Sequence, residues 1–139
     1  MATFMEVLGR AGVSVPDELL AEVEVPVLSG SQRQGDVSVW PCDRLSSSAR
    51  GGLVPAVGVA VVRGEATGNT HLLQPDPGSR VWWAPESQDK ESVVLGVVTV
   101  EGVGWLIHSE EHGANGLAAG SYVLRGKREQ ADVIRRVAD

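Results

Sequence analysis

The apolar runs of this chain are short, and glycine and proline break them at close intervals; no other feature narrows its fold as much. The longest, around Val57–Val62 and Val93–Val100, have the length of a β-strand and are rich in β-branched residues. Seventeen glycines and seven prolines separate runs of this kind, which predicts frequent turns and not long helices. Strands are expected at Val25–Leu28, Val37–Pro41, Val57–Arg63, His71–Leu73, Arg80–Ala84, Val93–Val100, Val103–Ile107 and Ser121–Arg125. Val57–Arg63 has the character of a central strand buried on both faces. Glu101-Gly102 is expected to close a hairpin. His108–Gly116 is expected to be a polar, glycine-rich loop. About eight short strands predict a mainly β fold, one small barrel or sandwich.

Residues 1–30 differ in character from residues 31–139, so a helical N-terminal extension is expected ahead of a β-rich domain. Thr3-Phe4-Met5-Glu6 fits a capping box, in which hydroxyl and carboxylate satisfy the free amides of a first helical turn. Gly9 or Gly12 would end that helix. Pro16-Asp17-Glu18 suits the start of a second short helix. Pro26 would place the strand that follows at a sheet edge. Residues 128–137 fit a helix or an extended segment equally well.

The charge excludes some functions. A formal net charge of -6 repels phosphate backbones, so nucleic acid is not an expected partner. No stretch approaches the ~18 apolar residues of a membrane-spanning helix. No targeting segment is expected at the N-terminus, because Glu6 and Arg10 interrupt it. Cys42 is the only cysteine, which excludes an intrachain disulfide and fits a cytoplasmic protein.

The candidate chemistry lies in the histidines. His108-Ser109-Glu110-Glu111-His112 would set both rings on one side of a helix, but Ser109 stands where a zinc-protease helix needs its Glu. Gly113, Asn115 and Gly116 also argue against a helix there. Strands brought side by side could instead aim His71 and His112, with Glu65 or Glu111, at one ion. A second candidate feature is aromatic. Trp82, Trp83 and Trp105, joined by Trp40, would offer a contact surface for a partner, or else core volume in a chain with one Phe and one Tyr. Of Trp82 and Trp83, one is expected to face outward.

Four segments in order carry a resemblance: Arg33-Gln34-Gly35-Asp36-Val37, Gly64-Glu65-Ala66-Thr67-Gly68-Asn69-Thr70-His71, Glu110-Glu111-His112-Gly113 and Gly120-Ser121-Tyr122-Val123. Over roughly residues 32–130 the chain resembles a group of small, uncharacterised bacterial and phage proteins with R-Q-G-D-V, G-E-x-T-G-H-x-H and H-E-E-H-G segments. The resemblance implies a histidine set suited to a metal or to catalysis. Asn69 stands where the group has the first His of its pair, and Ser109 where it has the His before Glu-Glu. Ala118-Ala119 replace two prolines, and Lys127-Arg128-Glu129-Gln130 replaces Q-R-E-Y. His71, Glu110, Glu111 and His112 match, and His108 is one position from the missing ligand.

An incomplete histidine set, acidic charge and an added N-terminal segment point first to a non-catalytic accessory or interaction module of a bacterial or phage system. Its partner would be a protein or a second copy of the chain, and no cofactor is expected. The alternative is a small metal-binding protein or metal-dependent hydrolase. It would hold zinc, iron or manganese through His71, His112 and either His108 or Glu111, with Glu110 or Glu111 as base for a bound water.

Overall fold

Thr3 opens the helix that the capping box predicts. Its hydroxyl accepts from the Glu6 amide at 3.3 Å, and the Glu6 carboxylate accepts from the Thr3 amide at 3.3 Å. Helix α1 spans Phe4–Arg10. It ends in a Schellman closure, with the Gly12 amide donating to the Gly9 carbonyl at 3.1 Å and the Val13 amide to the Leu8 carbonyl at 2.8 Å. The computed structural model describes residues 2–13, 22–42, 51–62, 70–86, 94–108 and 113–126. The second helix expected at Pro16 and the tail at 128–137 lie outside the described residues.

Eleven strands follow among the described residues: β1 Val27–Leu28, β2 Gln32–Gln34, β3 Val37–Cys42, β4 Gly52–Leu53, β5 Val59–Val62, β6 His71–Pro75, β7 Arg80–Pro85, β8 Val94–Glu101, β9 Gly104–His108, β10 Gly113–Leu117 and β11 Gly120–Gly126. They form a five-stranded sheet, β1-β10-β9-β6-β5, and a six-stranded sheet, β2-β3-β11-β8-β7-β4. The fold is mainly β, in two sheets and not a closed barrel. Every pairing is antiparallel except that of β1 with β10.

The two sheets share one core. Val37, Val39, Val81, Trp83, Val98, Val100, Tyr122 and Leu124 of the six-stranded sheet pack with Val62, Leu73, Leu106 and Leu117 of the other. Alternation along each strand produces this, since residues two apart share a face. The outer face of the five-stranded sheet is apolar too, and α1 covers it. Val7, Leu8 and Val25 pack there with Trp105 and Ile107. β9 is consequently buried on both faces.

Three expectations are corrected. Glu101-Gly102 does not close a hairpin: β8 and β9 belong to different sheets, and the turn carries the chain from one to the other. A two-residue spacing suits either connection; what separates them is that β9 pairs with β6 and β10. Residues 113–117 form strand β10, not loop. Gly116 is a place of close approach there, since a Cβ would stand 2.5 Å from the Pro26 carbonyl oxygen and 2.9 Å from the Trp105 ring. That glycine hides the strand from propensity reasoning while permitting the packing. The Val57–Val62 run yields an edge strand, β5, with Val57 itself 78 % exposed. β-branched residues suit edge and centre alike, so composition does not separate them.

Candidate functional site

β6 and β9 run antiparallel with His71 opposite His108. Directly opposed residues project from the same face, here the inner one that Leu73 and Leu106 also occupy. The two imidazoles stack with centroids 4.2 Å apart and planes within 8° of parallel. Both are enclosed, at 0 % and 2 % exposure. They stand at one end of the layer between the sheets, beside the Gly35-Asp36 turn that joins β2 to β3 of the other sheet. Gly35 makes that approach feasible. Its φ of +55° belongs to the left-handed region, and a Cβ there would lie 3.3 Å from His108 Cε1 and 3.7 Å from His71 Cε1.

A chain of side-chain amides crosses from the six-stranded to the five-stranded sheet at this point. Gln34 is 5 % exposed. Its Nε2 donates to the Leu106 carbonyl at 2.6 Å and to Asn115 Oδ1 at 2.8 Å, while its Oε1 lies 2.8 Å from His71 Nδ1. Asn115 Nδ2 donates to Gln32 Oε1 at 3.1 Å, and Gln32 Nε2 to the Gly116 carbonyl at 2.8 Å. Edge strand β2 is thus clasped to β9, β6 and β10 through the side chains of Gln32 and Gln34, and its Arg33 carbonyl accepts from Asn115 Nδ2 at 3.5 Å. Buried polar groups of this kind persist because they are hydrogen-bonded.

The structure brings His71 and His108 together. Glu111 and His112, with Glu65 and Glu110, lie outside the described residues. Among the described residues no group of three His, Cys, Asp or Glu side chains could hold a metal. The stacking bears on this directly: nearly parallel rings aim their in-plane lone pairs side by side and not at a shared point.

The tryptophans divide. Trp83 packs in the core between the sheets, and Trp105 lies 2 % exposed beneath α1, its indole N–H donating to Asp76 Oδ1 at 3.1 Å. Both are buried. Trp82 is half-buried, with the Arg80 guanidinium 5.7 Å from its ring centroid. Trp40 on β3 is 47 % exposed, its indole N–H donating to Ser38 Oγ at 3.0 Å.

The sequence singles out the Arg33–Val37 segment without giving Gln34 a role, marks Asn115 only as unfavourable to a helix, and gives Gln32 no part in a site. The one signal was glutamine at alternate positions, 32 and 34, ahead of a glycine turn. The sequence model of a family described as a domain of unknown function, DUF8820, matches residues 33–127. The chain belongs to this family. The DUF8820 match includes Gln34, Gly35, His71, His108 and Asn115, and it begins after α1, β1 and Gln32. No curated protein and no solved structure matches the chain.

Proposed function

We propose that the chain is a non-catalytic accessory or interaction module of a bacterial or phage system, acting in the cytoplasm by binding a protein partner or a second copy of itself. One observation carries this: the His71–His108 pair is enclosed and stacked face to face, clasped by amides. A buried ring meets no substrate, and parallel rings do not converge on one ion. What remains for recognition is surface, and Trp40 is the exposed tryptophan among the described residues. Exposed aromatics are favoured anchors in protein contacts. Light scattering on untagged protein should give a mass above that of one chain, and Trp40→Ser should lower it. A monomer at every concentration that carries about one zinc, iron or manganese per chain would overturn the reading.

A specific observation favours a second reading, a metal-binding protein or metal-dependent hydrolase. His71 Nδ1 is hydrogen-bonded to an amide oxygen, as the second nitrogen of metal-bound imidazoles commonly is. His71, His112 and either His108 or Glu111 would then supply ligands. Elemental analysis of wild type beside His71→Ala and His112→Ala decides it: metal present in the first and absent from both variants.

A further inference from the structure

We infer that Gln34 is a positioning residue that fixes the tautomer of the neutral His71 ring, with its proton on Nδ1 and its electron pair on Nε2. The deduction needs no assumption about hydrogens. The Leu106 carbonyl oxygen can only accept, so the Gln34 atom 2.6 Å from it is the nitrogen. The Gln34 atom 2.8 Å from His71 Nδ1 is therefore the oxygen, which also can only accept, and the proton in that contact belongs to His71.

The far end of the network enforces the same polarity independently. The Gly116 carbonyl fixes Gln32 with its nitrogen outward to that oxygen at 2.8 Å, so Gln32 presents its oxygen to Asn115 Nδ2 at 3.1 Å. Asn115 in turn presents its oxygen to Gln34 Nε2 at 2.8 Å. Two backbone carbonyls, on β9 and β10, thus set every amide between them and, through Gln34, the ring. Gly35, next to Gln34, leaves room for the rings, since a Cβ there would stand 3.3 Å from His108 Cε1.

The consequence is chemical. At Nε2 the His71 ring is an electron-pair donor, able to take a proton or bind a metal cation. It has no proton there to give to a carbonyl or an anion. The inference goes beyond both functional readings and survives the failure of either, because it concerns the ring atom and not its guest.

Nitrogen-15 NMR of histidine-labelled protein, in mildly alkaline buffer, tests it. The wild type should show His71 Nδ1 protonated and Nε2 bare. Gln34→Ala, which removes the acceptor beside Nδ1, should release the ring to a mixture or to the Nε2–H form. A general loss of stability alone would not move a tautomer. A wild-type spectrum with the proton on Nε2, or on both nitrogens, overturns the inference without recourse to any variant. So does an unchanged tautomer in folded Gln34→Ala.

Discussion

Gly35 and Tyr122 show how much single positions contribute here. Gly35 is at φ +55° against the histidine pair. A left-handed conformation costs a residue with a Cβ about 1–2 kcal/mol, and His108 would also have to shift. Gly35→Ala should therefore lose about 1–3 kcal/mol by denaturant unfolding with an unchanged slope. An unaltered midpoint would show that the turn does not press on the rings. Tyr122 is buried between the sheets, its hydroxyl donating to the Ala118 carbonyl at 2.7 Å. Burial raises its pKa above 10.0 because the phenolate would lose its hydration. With the folded value above the unfolded one, its contribution is whole below the unfolded pKa and is lost as pH rises through the folded pKa. As the chain has a single tyrosine, phenolate absorbance reports on it alone. The titration midpoint should lie above that of the unfolded chain, and Tyr122→Phe should flatten the alkaline decline in stability.

At the scale of elements, α1 belongs to the sheet it covers. Val7 and Leu8 are fully buried against Trp105 and Ile107, and Arg10 reaches Asp76 at 3.3 Å. That ion pair is half-exposed and contributes little; the apolar contact dominates. Leu8→Ala should lose about 2–5 kcal/mol, whereas Arg10→Ala should lose under about 1. The Thr3 backbone N–H, and then its hydroxyl, hold the Glu6 carboxyl below the usual carboxylate range. A lowered pKa means this cap acts at neutral pH and is lost as acid passes the folded pKa. The Thr3 amide proton should therefore shift with a midpoint below that of a free glutamate side chain. The capping box was legible because its residues lie three apart and bond to one another. The strands at Val37, His71, Arg80, Val94, Gly104 and Gly120 were legible from apolar alternation between turns. β2 and β4 were not, because three and two residues cannot display a period. Nor was the sheet to which each strand belongs, since turns of two to four residues join strands within a sheet and between sheets alike.

The same division governs the candidate site in the whole molecule. Its histidines stood out by residue type, but the register that opposes His71 to His108 depends on β6 pairing with β9 across about 30 residues of chain, which no local pattern encodes. Gln34 and Asn115 come from still further apart, and an amide carries no signature until its partners are known. The N-terminal segment, outside the family match, closes the other side of the same sheet. This makes a deletion of Thr3–Val23 an ambiguous probe of assembly. Removing α1 and the chain up to Val23 would uncover Trp105, Ile107 and Leu72 together, an apolar patch with the chemistry of a core and not of a recognition surface. The truncated chain should bind a hydrophobic dye, show red-shifted tryptophan emission from Trp105 and self-associate more strongly than the full chain. Trp40→Ser leaves that face covered and should weaken association without such exposure. If truncation instead yields a soluble monomer with unchanged emission, the helix does not shield the sheet.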